Sequence, residues 1–526
     1  MTFETITTPH DNAIPTRAAI SPRERTTLLA AVLIISICAI TYELIVGTLS
    51  SYLLGNSVTQ FSFTIGFFLF AMGLGALISR RIVGGELRWF IIVELLTGLF
   101  GGLSASFLYA VFATNSGEYY YYLAMIAITL SLGICIGLEI PLLMRIVADR
   151  SELSKALSDV FSIDYLGALI ASLAFPLLLL PTLGVVRTAF LMGVFNILVA
   201  MICLQLFRSR LSPRWTRRLW WASGAVMLIM VGGTVLSADF LRFFEQRLYE
   251  DFIIYRHQTT YQRIIMTRNN SDLRLYLDGN LQFSSRDEYR YHEMLVHPVM
   301  SAARSHETVL ILGGGDGLVV REVLKYDDVQ QIILVDLDPA MTDLARENLI
   351  LRDMNQDALD DPRVTVINAD AYRYLEESDD LYPVVIIDLP DPNNEGLSKL
   401  YSREFYTLLR QHIPPDGAFV TQATSPYFVR QAFWMIANTI QDANFHILPL
   451  HTYVPSFGEW GFVIGTPVRE AQVEMPENLE LRYLTAGVLQ AALTFDPDIA
   501  YVETAINTLD NPALPRAYEI GYRLWD

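Results

Sequence analysis

Seven long apolar runs fill the first half of the chain, at about 27–48, 60–79, 89–113, 120–144, 160–182, 188–207 and 219–238. A helix needs about 20 apolar residues to cross a hydrocarbon core of ~30 Å, so each run predicts a membrane-spanning helix. The first run is too long, and too free of a small-residue cleavage site, to be a removable signal peptide. From Phe252 the pattern changes to short alternating runs, FIIYRH, YQRIIMT, LRLYLDG and NLQFS, broken at Asn269-Asn270 and Asp278-Gly279. These predict a small antiparallel sheet of hairpins. Beyond them the apolar strands TVLILG, QIILVDLD, VTVIN and VVIIDLP alternate with helical stretches, which predicts a parallel sheet flanked by helices. The chain therefore reads as a multi-domain protein: a tail over 1–26, an all-α transmembrane bundle over 27–238, a β-hairpin subdomain over 239–300 and an α/β Rossmann-like domain over 301–526.

Charge places a break at the same point. Residues 1–238 carry 15 Lys/Arg against 12 Asp/Glu, and the remaining 288 carry 23 against 44, a net charge of −21. Such an acidic half does not suit nucleic acid, whose phosphates reward clustered cations; it suits a solvated surface or a small cationic ligand such as a polyamine. All three cysteines, Cys38, Cys135 and Cys203, fall in the apolar runs, so the second half has no disulfide framework and no thiolate metal site.

Arg17, Arg23 and Arg25 precede the first run. Arg80, Arg81 and Arg88 follow the second, Arg145, Arg150 and Lys155 the fourth, and Arg208 to Arg218 the sixth. Alternate loops are nearly uncharged, which predicts an inside N-terminus. Seven crossings would then leave the second half outside, unless one segment is re-entrant or interfacial. Glu43, Glu94, Glu139 and Asp164 lie within the runs, Glu94 near an interface. Each is expected to face the bundle interior, either lining a cation path or bonding between helices. Gly73, Gly75, Gly101 and Gly102 are expected to allow close helix packing, and Tyr119 to Tyr122 to sit in an interfacial aromatic belt.

In the α/β half, the strand TVLILG ends in Gly313-Gly314-Gly315-Asp316-Gly317 and runs into a helix. Glycines here permit a tight turn and a close approach of ligand to backbone. Asp336 ends the next strand, about twenty residues on, where an acid accepts ribose hydroxyls. Asp370 follows the third strand, and Asp388 and Asp391 the fourth. Acids at successive strand ends converge on one crevice in an open α/β sheet.

Over roughly 252–490 the chain resembles the spermidine-synthase family of polyamine aminopropyltransferases. The matching elements include Tyr261-Gln262, LDGNLQ, DEYRYHEMLVH, VLILGGGDG, REVLKY, LVDLDP, NAD, IIDLPDP, LYSREFY, TQATSPYF and VPSFGEWGF. The multispan N-terminal half looks like that of the membrane-bound bacterial branch. The resemblance implies transfer of an aminopropyl group from decarboxylated S-adenosylmethionine, a co-substrate and not a prosthetic group, to putrescine or a related amine. Spermidine and methylthioadenosine would result, and the protein would be at least a dimer. It implies further that Gln262, Gln282, Gly313 and Gly315 line the cofactor cleft, Asp336 holds the ribose, Asp370 the adenine amino group and Asp316 faces the aminopropyl tail. Asp388 would be the general base and Asp391 would hold an ammonium group. Tyr291, His292 and Gln422 would form the acceptor pocket.

Two departures stand out. Leu389-Pro390 separate the two acids where serines are common, and Phe457 stands about where many members carry an acceptor-side tyrosine, with Tyr453 as a substitute four residues earlier. Trp460 is expected to pack under the rim of the site. Two competing readings remain: a methyltransferase acting on a membrane substrate, and a polyamine transporter or sensor without turnover.

Overall fold

The computed structural model describes residues 21–55, 57–114, 118–147, 153–468, 470–475 and 479–525. Arg17, Arg150 and most of the tail over 1–26 lie outside them. The chain forms two compact units, one reaching to Glu245 and one running from Gln246 to Asp526.

The first unit is helical: α1 (Pro22–Leu54), α2 (Ser57–Ser79), α3 (Glu86–Ala113), α4 (Glu118–Val147), α5 (Leu153–Ala174), α6 (Leu180–Leu206) and α7 (Pro213–Leu248). Among the described residues, six helical stretches are long and apolar enough to cross a membrane, one of them the 50-residue run Leu157–Leu206. That run is not one rod. Ser36 Oγ donates to the Asp164 carbonyl at 2.6 Å, and Cys38 Sγ donates to the Met192 carbonyl at 3.5 Å. At 1.5 Å per residue, positions 164 and 192 of a straight helix would be about 42 Å apart, yet both touch α1 within two residues of each other. The chain doubles back between them, and the helical path breaks at Gly184, whose φ of 72° and ψ of 174° leave the helical region. Its two limbs correspond to the separate runs 160–182 and 188–207.

Three of the four singled-out glycines sit at close approaches. A Cβ on Gly75 would run into the Ile134 carbonyl, one on Gly101 into the Tyr42 ring and one on Gly102 into Met230, whereas Gly73 faces open space. Glu94 and Glu139 are fully buried. Asn196 Nδ2 donates to Glu94 at 3.0 Å, and Thr97 Oγ1 donates to Glu139 at 2.8 Å, so both carboxyls bond between helices. Glu43 and Asp164 are half-buried. Of the tyrosine run, Tyr119 and Tyr120 are exposed and Tyr121 is buried.

The second unit opens with four antiparallel strands, β1 (Phe252–Gln258), β2 (Arg263–Asn269), β3 (Asp272–Leu277) and β4 (Asn280–Ser284), paired in sequence order. The predicted turns are present, with Asn270 at φ 54°, Asp278 at 49° and Gly279 at 83°. Helix α8 (Glu288–Ala302) follows. Then come β5 (Thr308–Gly313), α9 (Leu318–Val323), β6 (Gln331–Asp336), β7 (Val364–Asn368), β8 (Val384–Asp388), β9 (Ala418–Gln422), β10 (His446–Val454) and β11 (Gly458–Thr466). They form one sheet in the order β10-β11-β9-β8-β5-β6-β7. Strands β5 to β9 are parallel, and the β10-β11 hairpin pairs antiparallel along β9.

Both faces of this sheet are covered, which explains the unbroken apolar strands. Val309 and Ile311 of β5 enter one core layer with Met294 and Leu295 of α8. Leu310 and Leu312 enter the opposite layer with Phe405 and Phe433. Strand order reverses between β5 and β8, and a crevice at such a reversal, beyond the strands' carboxyl ends, is where open α/β sheets bind ligands.

Candidate active site

Gly313 pairs in register with Asp388 at that reversal. Its φ of 84° and the position of its missing Cβ, which would run into the Asp388 carbonyl, both require glycine. Gly314 N–H donates to the same carbonyl at 3.0 Å, closing the floor of the crevice. Gly315 N–H donates to Asp336 Oδ2 at 3.0 Å, and Asp338 N–H donates to Asp336 Oδ1 at 2.9 Å. Each Asp336 oxygen is thereby oriented by one backbone bond and keeps capacity for a second. Burial pushes the Asp336 carboxyl up to about 6 against those two bonds. Asp316 is buried, with its Oδ1 accepting from Leu318 N–H at 2.9 Å.

Helix α8 presents Glu288, Tyr291 and His292 on one face, at the spacing that brings side chains together on a helix. Tyr291 O–H donates to Asp388 Oδ1 at 2.6 Å. His292 Nδ1 lies 2.8 Å from Glu288 Oε2. Burial alone would lower the His292 pKa, but the bond to Glu288 and the charges of Glu288, Asp316 and Asp388 outweigh it and raise it. Burial pushes Asp388 up to about 6, Asp316 adds to the shift, and His292 and Tyr291 oppose it. Three ionisable groups, Asp316, His292 and Asp388, thus feel one another within the crevice.

Behind them lies a buried ionic network. Arg321 on α9 grips both oxygens of Glu288, at 3.0 and 2.9 Å, and reaches Glu322 at 3.0 Å. Glu322 also pairs with Lys325 at 2.6 Å and with His297 at 3.0 Å. Asp287, at the N-terminus of α8, and Glu293, within it, fasten its surroundings. Asp287 accepts from the backbone and side chain of Ser456, and Glu293 accepts three backbone N–H groups from Arg482, Tyr483 and Leu484.

Asp391 sits three residues past Asp388, held by Gln422 Nε2 at 3.2 Å on one oxygen and by Tyr518 O–H at 2.8 Å on the other. Burial pushes it up to about 6 against these bonds. Gln422 also donates to the Leu389 carbonyl at 2.9 Å, locking the Leu389-Pro390 turn.

The remaining expected residues fall as follows. Gln262 Nε2 donates to Asp338 at 3.0 Å, beside Asp336. Gln282 occupies a bulge between Leu281 and Phe283, with its amide on the Asn280 carbonyl at 3.1 Å. Asp370 caps the helix Ala371–Glu377 and pairs with Lys399 Nζ at 2.7 Å. Tyr453 is 54% exposed on β10, and its carbonyl accepts from Arg290. The Phe457 ring lies 6.1 Å from that of Tyr291, and buried Trp460 lies under Phe457 at 4.9 Å. Arg321, Lys399 and Tyr518 were not anticipated. Arg321 stood inside the REVLKY motif, but nothing in the pattern around Tyr518 marked it.

Among the described residues, no group of three or more His, Cys, Asp or Glu side chains is arranged to hold a metal ion. Residues 288–475 match the model of the spermine/spermidine synthase domain. The chain is 44% identical over 498 residues to a polyamine aminopropyltransferase 2 of Ralstonia nicotianae, covering 94% of this chain and 97% of that one. It is 44% identical to a polyamine aminopropyltransferase of Leptospira interrogans, covering 94% and 98%. A crystallised spermidine synthase in complex with the transition-state analogue AdoDATO is 27% identical, covers 47% of this chain and 86% of that one, and has a TM-score of 0.43.

Proposed function

Because this chain belongs to the spermine/spermidine synthase family, we propose that it transfers the aminopropyl group of decarboxylated S-adenosylmethionine to putrescine or a closely related amine. The observation that carries this reading is the pair of acids Asp388 and Asp391 at the sheet's reversal point, each oriented by neutral donors. An alkylammonium, with a pKa of about 10.4, cannot attack carbon until it loses a proton. Asp388 takes that proton, the freed amine attacks the methylene carbon next to sulfur, and the carbon–sulfur bond breaks as the new carbon–nitrogen bond forms. The sulfonium's positive charge is discharged on the departing methylthioadenosine. Asp391 holds the second ammonium so that the first lies in line for attack. Tyr291, His292 and Gln422 wall the acceptor side.

On the co-substrate side, Asp336 takes the ribose hydroxyls, Gln262 and Gln282 flank the cleft, and Gly313 and Gly315 let the nucleoside reach the backbone. Asp370 takes the adenine amino group in exchange for the Lys399 ammonium. Asp316 faces the amine tail and repels the carboxylate of ordinary S-adenosylmethionine, which disfavours methyl transfer. Purified protein given decarboxylated S-adenosylmethionine and putrescine should release methylthioadenosine, and no product with any diamine or polyamine would reject the reading. Incorporation of labelled methyl from S-adenosylmethionine would contradict the role of Asp316.

The helical unit anchors the enzyme in a bacterial inner membrane as an assembly of at least two copies, which mass measurement in detergent would read. The doubled-back run Leu157–Leu206 supports seven crossings over six. Supply of the co-substrate favours the second unit on the cytoplasmic side, which with seven crossings requires an outside N-terminus or one segment that does not cross. A cysteine introduced on the second unit and probed with an impermeant thiol reagent in intact cells decides it.

A further inference from the structure

The family domain covers residues 288–475, yet a hydroxyl that donates to Asp391 comes from beyond it. Tyr518 stands on the terminal helix Leu514–Tyr522, and that helix is fixed at both ends to segments that build the acceptor side. At its start, Leu514 N–H donates to Asn507 Oδ1 at 3.3 Å, and the Asn507 amide donates to the carbonyls of Ser398 and Tyr401 at 3.0 and 3.1 Å. Tyr401 O–H in turn donates to the Pro390 carbonyl at 3.0 Å, inside the loop that carries both acids. At its end, Gly521 lies so close to Val429 that an added Cβ would come within 2.6 Å of it. Tyr522 stacks on Phe428 at 6.1 Å, and Trp525 Nε1 donates to the Phe428 carbonyl at 3.2 Å. The helix is therefore held in register, which fixes the backbone from which Tyr518 reaches Asp391.

Gln422 and Tyr518, which donate to the two oxygens of Asp391, are both neutral. A neutral donor orients a carboxylate and leaves its charge available to a cation, whereas a lysine or arginine in the same place would cancel it. Resting on the transferase reading above, we propose that Tyr518 is a positioning residue for the acceptor. Its hydroxyl holds the Asp391 carboxylate toward the distal ammonium of a diamine, so the terminal helix is part of the acceptor pocket and sets a preference for diamines over monoamines.

The test uses full-length protein in detergent, decarboxylated S-adenosylmethionine, and two acceptors of equal carbon length, putrescine and n-butylamine. Tyr518→Phe keeps the ring packing and removes only the hydroxyl. The KM for putrescine should rise about tenfold or more, as expected for a lost hydrogen bond to a charged group. The KM for the co-substrate and kcat/KM for n-butylamine should not move. In an Asp391→Asn background the same change should add nothing, because the two residues act as one unit. An unmoved putrescine KM in an active protein, or an equal loss with both amines, overturns this inference alone. A wild-type protein that releases no methylthioadenosine overturns the transferase reading itself.

Discussion

The Tyr291 hydroxyl lies 2.6 Å from Asp388 Oδ1, joining helix α8 to the end of strand β8. Burial raises the Asp388 carboxyl first, the Asp316 charge adds to it, and the Tyr291 bond is one of two influences pulling it back to about 6. Removing the hydroxyl therefore raises it further. For Tyr291→Phe, the acid limb of the kcat/KM profile should move to higher pH. Activity should fall most below pH 7 and recover toward pH 8.5. A limb that stays in place would show that the hydroxyl does not tune the base.

Asp388→Asn should separate activity from stability. Loss of a general base costs about 10²–10⁴-fold in rate. The folded carboxyl has its pKa raised from 3.8 to about 6, so the folded state binds the proton more tightly than the unfolded chain does. Its ionisation accordingly costs stability that is absent below about pH 4, appears between 4 and 6, and is fully present above 6. The asparagine variant escapes that cost. It should melt higher than the wild type at pH 7.5 and lose the advantage near pH 4. Equal melting temperatures at both pH values would contradict the buried-charge account.

Arg321→Met should be costly at neutral pH. Burial would raise the Glu288 carboxyl, but His292 and Arg321 outweigh it and hold it at about 2, below the usual 4.5. A depressed acid stabilises the fold above its unfolded pKa, and that contribution fades as pH falls from about 4.5 to 2. Taking away one partner of a buried, hydrogen-bonded ion pair typically costs about 3–5 kcal/mol. Denaturant melts at pH 7 should show a loss of that order, with a smaller gap between variant and wild type near pH 3. Because Glu288 also positions His292, the co-substrate and acceptor KM values should both shift.

Much of this arrangement was legible in the chain because it is periodic or punctuated. Alternation marked β1 to β4, continuous apolar runs marked β5 to β8, and a Gly-rich turn followed by spaced acids marked the crevice. What escaped depends on contacts that sequence spacing does not encode. Tyr518 reaches Asp391 across 127 residues. The pairing of Asp370 with Lys399 depends on how the segment after Asn394 folds back over the sheet edge. Gly73 and Gly75 lie two residues apart, so helical geometry turns them to different sides, and only Gly75 meets another helix. Tyr453 lies in β10, whereas Phe457 lies in the tight turn between β10 and β11. Sequence spacing does not encode how that turn folds, and it is the Phe457 ring that packs on Tyr291.

Gly315→Ala offers the counterpart of the acceptor-side test. The backbone at Gly313 is left-handed, so a side chain there would be strained as well as crowded; at Gly315 crowding is the issue. An added Cβ would press on Asp336 Oδ2, the atom that accepts the Gly315 N–H, and on Met341. Asp336 must then rotate or the loop must shift, and either displaces the oxygens that orient the ribose. A displacement of about 1 Å at such a site can cost about 100-fold. The KM for decarboxylated S-adenosylmethionine should therefore rise by one to two orders of magnitude while the putrescine KM, governed by Asp391 on the far side of β8, changes little. If both constants rise together, the crevice does not divide into separate nucleoside and amine halves, and the roles given to Asp336 and Asp391 would need to be redrawn.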